Sequence, residues 1–344
     1  METELISLMP KDFLLAGYHS KLDLRETEIA IKRLKDFFEV HLAKALNLTR
    51  VSAPLFVRPE TGLNDNLNGV ERPVSFGVKD LGEAPCEVVQ SLAKWKRMAL
   101  HRYGFAPGEG LYTDMNAIRR DESLDNLHSL YVDQWDWEIV IPAGSRCFET
   151  LKEIVLRIYG VFRETEDYIC GLYQTLDRKL PADIHFITTQ ELADMYPALS
   201  PREREDEIAR EKGAVFVAQI GGALRSGERH DGRAPDYDDW TLNGDIIFWY
   251  PLLETAFEVS SMGIRVDAAA LDRQLSLAGC EERRALPFHR DLLAGRLPQT
   301  VGGGIGQSRI CQFYLDKAHI GEVQASVWPG AMLAACERAG ITLL

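Results

Sequence analysis

The chain has 344 residues, 46% of them hydrophobic and 26% charged, with a formal net charge of −13. That length supports a large core. No apolar run approaches the ~20 residues of a membrane span, and the acidity argues against a nucleic-acid partner, whose phosphates call for a basic surface.

The N-terminal stretch METELISLMPKDF lacks a signal-peptide core. Residues 27–46 set Ile31, Leu34, Phe38, Leu42 and Leu46 at helical spacing, which predicts an amphipathic helix. VSAPLFV, residues 51–57, reads as a strand whose Pro54 suits an edge or a bulge. NDNLNG, residues 64–69, is a turn-rich loop carrying Asp65. A short strand is expected at Glu87–Val89. VVQSLAKWKR, residues 88–97, stays open: as a strand it alternates Lys94 and Lys96, as a helix it aligns Ser91 with Lys94. In GEGLYTDMNAIRRDES, residues 108–123, the chemically suggestive part is Arg119-Arg120-Asp121-Glu122, which as a charged turn between strands reads first as merely solvated.

Further along, a strand is expected at Leu130–Ile141 and a long helix at Phe148–Tyr173. Then come a strand at Ile184–Thr188, helices at Thr189–Tyr196 and Pro201–Lys212, and a strand at Ala214–Ile220; Pro201 suits a first helical turn. Residues 225–240 form a long charged loop, followed by strands at Asp245–Tyr250 and Ala256–Met262. Strands and helices alternate unevenly, which favours an α+β fold with a mostly antiparallel sheet in one domain over residues 1–344. The six cysteines include no C-x-x-C pair. They read as reduced thiols of a cytoplasmic protein, not as a zinc site.

Three stretches suggest chemistry. In YVDQWDWEIVI, residues 131–141, strand alternation places Tyr131, Asp133, Trp135, Trp137, Ile139 and Ile141 on one face. Val132, Gln134, Asp136, Glu138 and Val140 fall on the other, which is either a polar pocket floor or a solvent-facing surface. In ETAFEVSSMGIR, residues 254–265, Glu258, Ser260 and Met262 fall on one face, and Gly263 is expected to break the strand before Arg265. A glutamate beside hydroxyls, with Asp245 opening the preceding strand, is a plausible Mg²⁺ set or simply an acidic surface. GGGIGQSR, residues 302–309, supplies glycines that permit positive φ and close ligand approach, then an arginine able to grip phosphate. It is neither a P-loop nor a dinucleotide fingerprint, and by itself a glycine run before a helix reads first as a turn.

Taken together, the blocks NDNLNG, SLAKWKR, GEGLYT with IRRDE, YVDQWDWE, RAPDYDDW, LNGDI, SSMGIRVD, PQTVGGGIGQSR and HIGEVQASVWP resemble the ammonia-dependent asparagine synthetases, the aspartate–ammonia ligases. That family is similar in fold to the catalytic core of class II aminoacyl-tRNA synthetases. The resemblance implies a homodimer that makes L-asparagine from L-aspartate, ATP and ammonia through a β-aspartyl-adenylate, releasing AMP and pyrophosphate with Mg²⁺. It implies that Asp65, Arg119, Gln134 and Arg309 are catalytic, and that Ser91, Lys96, Asp136, Ser261 and Arg265 join Asp65 and Gln134 in holding substrate. ATP would be bound by Arg119, Val132, Asp136, Asp238, Asp245, Val259, Ser261, Gly304, Gly306 and Arg309, with Mg²⁺ on Asp245 and Glu258.

The chain departs from the family pattern after Trp240, where Thr241 alone leads to Leu242 in place of a longer loop. It has no N-terminal cysteine nucleophile, which disfavours glutamine as nitrogen source. Two other readings are an aminoacyl-tRNA synthetase, or a paralogue that passes the activated acid to another acceptor, and a non-catalytic adenylate- or aspartate-sensing paralogue; the chain's length and acidity disfavour the synthetase. Retention of Arg119, Arg309, Asp245 and Glu258 counts against the sensor.

Overall fold

A computed structural model describes residues 17–67 and 71–344. The N-terminal stretch read above, and Asn68 and Gly69 of the NDNLNG loop, lie outside the described residues.

The chain opens with α1 (Leu24–Leu46), capped by Asp23, whose carboxylate accepts the Glu26 N–H at 2.8 Å. Its apolar stripe packs against α3 (Phe148–Leu172) and one face of an 8-stranded sheet. The sheet runs in the order β1 (Leu48–Arg50), β5 (Gly110–Ile118), β6 (Tyr131–Val140), β11 (Thr300–Gly306), β10 (Thr255–Arg265), β9 (Asp238–Tyr250), β8 (Ala214–Ala218), β7 (His185–Thr188). Only the outermost pairs, β1 with β5 and β7 with β8, are parallel; every inner pair is antiparallel. The expected α+β class holds.

Trp135, Trp137 and Ile139 point from β6 into the core, as does Ile141 just beyond it, and Phe38 of α1 stacks on Trp135 at 4.9 Å. This is one face of the alternation read from YVDQWDWEIVI. The opposite face of β5, β6 and β11 carries α2 (Ala93–Tyr103), followed in the chain by the 225–237 loop and helices α6 (Ala268–Ala278) and α7 (Pro287–Leu293). A separate 3-stranded sheet orders β2 (Phe56–Val57), β4 (Ala84–Val88) and β3 (Ser75–Val78). Helix α8 (Gln307–Tyr314) follows β11 directly.

SLAKWKR, open between strand and helix in the sequence, is helical from Ala93. Gly110–Ile118 is strand β5, paired with β6 from Gly110↔Ile139 to Ile118↔Tyr131, and the charged residues after it turn as expected, Glu122 N–H donating to Arg119 O at 3.2 Å. Several expectations are corrected. Only Phe56–Val57 of VSAPLFV is strand. GGGIG is strand β11, and none of its glycines takes a positive φ. Gly263 does not end β10: it pairs with Asn243 and Gly302. Asp245 does not open β9; the strand begins at Asp238.

Candidate active site

Antiparallel registration brings four sequence-distant residues into one transverse row. Asp136 of β6 pairs with Gly304 of β11, Gly304 with Ser261 of β10, and Ser261 with Asp245 of β9. At about 4.8 Å per strand the row spans roughly 14 Å. Its first three members, Asp136, Gly304 and Ser261, lie in the floor of a cavity of about 470 Å³.

The bulge between Glu258 and Ser260 re-aims β10. Without it Met262 would join Glu258 on the cavity face, as simple alternation expects. With it Met262 enters the core, and Ser261 lines the cavity beside Glu258. Gly304 and Gly306 leave the floor bare. A Cβ on Gly304 would strike the Gln134 amide, coming within 2.9 Å of its Cδ. These glycines are required by space, not by φ.

The cavity carries guanidiniums on opposite strands' ends. Arg119 follows β5, its backbone N–H donating to Leu130 O at 2.9 Å, with Glu122 3.8 Å from its side chain. Arg309, in the first turn of α8, donates to Glu258 O at 2.8 Å and lies over the Phe257 ring at 5.6 Å. Arg233 reaches in from the 225–237 loop. It donates to Ser261 Oγ at 2.7 Å and to both Asp245 oxygens at 2.7 and 2.8 Å. Burial pushes the Asp245 carboxyl up, to about 7; Arg233 opposes the shift, and the Glu258 carboxylate adds to it.

Arg265 is buried, donating to Glu138 at 3.2 and 3.3 Å and to Asp238. Desolvation is overcome by these two carboxylates, so its pKa is raised. Asp65 is 2% exposed. Its Oδ1 accepts the Leu67 N–H at 2.9 Å while Oδ2 has no partner. Desolvation raises this carboxyl, and Lys94 pulls it down.

Of the residues expected from sequence, all but Lys96 and Asp245 line the cavity. Lys96 is 0% exposed and donates to Asp136, to Trp137 O at 2.9 Å and to Gly303 O at 3.1 Å. It stands behind Asp136 and does not itself line the cavity. Asp245 likewise sits behind Arg233. Trp240 to Leu242 is not a loop end but part of β9, where residues 239–242 bulge opposite Ile264 between the pairs Gly263↔Asn243 and Arg265↔Asp238.

The profile of the family described as aspartate-ammonia ligase matches residues 25–340. The chain belongs to this family. An aspartate–ammonia ligase of Ruminiclostridium cellulolyticum is 66% identical over 328 residues, covering 95% of this chain and 98% of the relative. Among solved structures, asparaginyl-tRNA synthetase from Pyrococcus horikoshii, complexed with asparaginyl-adenylate, aligns with a TM-score of 0.65 at 14% identity. That alignment covers 88% of this chain and 70% of the synthetase. Aspartyl tRNA synthetase from Entamoeba histolytica aligns with a TM-score of 0.59 at 14% identity, over 87% of this chain and 58% of that protein. At such identities these two show the fold, that of class II synthetases.

Membership directs attention to cavity residues that the sequence reading passed over. Arg233 opens the RAPDYDDW block and was visible there as the one cation beside its carboxylates. Tyr237 and Gln90 also line the cavity. Gln90 Nε2 donates to Asp65 O at 2.9 Å, which leaves Oε1 without a partner. Only long-range packing brings these side chains to the site, and no local pattern marks them.

Proposed function

We propose that this cavity is where the chain acts as an aspartate–ammonia ligase, joining L-aspartate and ammonia at the expense of ATP through a β-aspartyl-adenylate. The observation carrying the reading is that the ligase family spans residues 25–340 of this chain, and that one cavity of about 470 Å³ is lined by Asp65, Arg119, Gln134 and Arg309 together.

A carboxylate is a poor electrophile, and adenylation gives it a leaving group. A β-carboxylate oxygen of aspartate attacks the α-phosphorus, and the bond to pyrophosphate breaks. Arg119 and Arg309 face the charge that develops on the phosphates; fixed cations in a cavity need no reorganisation as the charge grows. The bare floor at Gly304 and Gly306, walled by Val132 and Val259, admits the flat adenine. Arg265, Ser91, Asp136 and Asp238 orient aspartate, with Lys96 acting through Asp136.

Glu258 lines the cavity and would offer its carboxylate to a Mg²⁺ ion, which takes one or two carboxylates and completes its shell with phosphate oxygens and water; Asp245, both of whose oxygens accept from Arg233, would join it only on release from that guanidinium. Among the described residues no group of three or more His, Cys, Asp or Glu gathers to hold an ion unaided. A bound ion would supply further positive charge at the phosphates, and would relieve the repulsion between these two carboxylates.

In the second half-reaction ammonium delivers a proton to Asp65 Oδ2. The N–H electron pair stays on nitrogen and attacks the activated carbonyl, helped into line by Gln134. The C–O bond to AMP breaks, AMP keeps that pair on its phosphate, and the new amide nitrogen passes its second proton to water.

The homodimer implied by the resemblance is supported by Leu55, Phe56 and Phe76. These stand exposed on and beside the small sheet, Phe56 against Phe76 at 5.3 Å. All six cysteines are free, which suits the reducing cytoplasm. Among the described residues no helix is long and apolar enough to cross a membrane.

The test is aspartate-dependent ATP–pyrophosphate exchange without ammonium. Exchange establishes the adenylate, and its absence from folded protein refutes this route.

A further inference from the structure

Arg233 holds the two carboxylate oxygens that a divalent cation on Asp245 would need. Its Nη2 donates to Asp245 Oδ1 at 2.7 Å and to Oδ2 at 2.8 Å, and its Nη1 donates to Ser261 Oγ at 2.7 Å. The two charged side chains are only 12% and 9% exposed. A carboxylate this far from solvent needs a cation beside it, and the chain supplies its own.

A second acidic side chain stands close by. In the β9–β10 register Ser261 faces Asp245 and Glu258 faces Ile247, two residues further along β9. Glu258 and Asp245 are therefore diagonal neighbours on one face, and such positions lie about 7–8 Å apart, within reach of one ion between two side chains. Glu258 is exposed in the cavity, and Arg309 engages its carbonyl oxygen rather than its carboxylate.

The backbone on both sides of Arg233 is pinned. Ala223 bridges to Arg229, whose guanidinium lies over the Trp240 ring at 5.3 Å. His230 Nε2 meets Glu205 Oε1 of α5 (Pro201–Lys212) at 2.8 Å, and Ala234 O accepts from Trp240 Nε1 at 3.3 Å. That leaves the long Arg233 side chain as the part free to change partners. Its Nε is buried with no partner, so the guanidinium has a donor to spare for a phosphate.

We propose that Arg233 is an internal counter-ion for Asp245 which nucleotide displaces: as a triphosphate enters, the guanidinium passes to a phosphate and the carboxylate passes to a divalent cation. The exchange keeps Asp245 paired throughout, since one cation arrives as the other leaves. The identity of the nucleotide rests on the ligase reading above.

Such an exchange makes cation and nucleotide binding interdependent. Wild-type protein should bind Mn²⁺, an oxygen-ligated stand-in for Mg²⁺ followed by electron paramagnetic resonance, about tenfold more tightly with a non-hydrolysable ATP analogue than without it. Arg233→Met removes the competing cation and keeps an apolar stem, so Mn²⁺ alone should bind about tenfold more tightly than to wild type. Adding Asp245→Asn to that variant should abolish the gain. Arg233→Lys, which keeps a charge but loses the planar fork, should gain about threefold and serves if Arg233→Met does not fold. Unchanged Mn²⁺ affinity in the folded variant, a gain that survives Asp245→Asn, or wild-type affinity indifferent to the analogue would overturn the proposal. These titrations need no turnover. Absence of ATP–pyrophosphate exchange in the wild-type protein would overturn the ligase reading, and the Mn²⁺ titrations of the Arg233 variants would still decide whether Arg233 guards Asp245.

Discussion

Lys96 and Asp136 form an ion pair at the junction of β6 and β11, and every hydrogen bond of the Lys96 ammonium is internal. Lys96 is fully buried; desolvation lowers its pKa, and Asp136 opposes the shift. The pair therefore welds two strands of the cavity floor and fixes one of its carboxylates. Lys96→Met should cost about 3–5 kcal/mol in urea unfolding, the loss typical of leaving one buried charge alone. A change below about 1 kcal/mol would show that Asp136 does not depend on it.

Adjacent glycines of β11 should respond differently to the same added methyl. Gly303→Ala would put its Cβ 2.5 Å from Met262 Cβ and 2.7 Å from Ser261 O, both fixed in the neighbouring strand. It should lower stability by about 1–3 kcal/mol, the usual cost of overpacking. Gly304→Ala meets only the mobile end of Gln134. It should leave the melting temperature nearly unchanged and cut exchange activity at least tenfold. The reverse pattern would mean that Gly304 does not face the reacting groups.

Arg309 makes one hydrogen bond, to a backbone oxygen, and one ring contact. Arg309→Ala should leave stability within about 1 kcal/mol while reducing exchange roughly 10²-fold or more. Retained exchange in a folded variant would remove it from phosphate stabilisation.

His319 gives a pH prediction away from the cavity. Its Nδ1 accepts the Gly321 N–H at 2.9 Å, which only the neutral ring does, and burial pushes its pKa down to about 4. The unfolded imidazole takes its proton near pH 6.5. The contribution is thus present above that pH and lost as pH falls toward 4, by up to about 3 kcal/mol. Urea unfolding between pH 7 and 4.5 should show this slope, and His319→Asn should flatten it; equal slopes would exclude His319 as the source.

Much of the architecture was legible where one residue pattern determines one environment. The stripe of α1 and the alternation of β6 are of that kind, because burial on a single face imposes the period. The four long-range features were not. GGGIG has low strand propensity, and it is a strand only because β6 and β10 supply its hydrogen bonds and fill the space of its missing side chains. The bulge at Ser260 changes which residue faces Glu258, and nothing local announces it. SLAKWKR offers two periods, and packing on β6 decides for the helix. Arg233 and Gln90 reach the site through contacts between segments far apart in the chain. The short Trp240–Leu242 segment, where the sequence reads a missing loop, is held in β9, Trp240 N–H donating to Gln274 at 2.9 Å.

The most direct measurement is an incubation of purified protein with L-aspartate, Mg-ATP and ammonium chloride, following asparagine, AMP and ADP together. Asparagine and AMP rising in equal amounts, with no ADP, is the predicted result. Asparagine accompanied by ADP would contradict the adenylate, and aspartate-dependent AMP without asparagine would show that ammonium is not the acceptor.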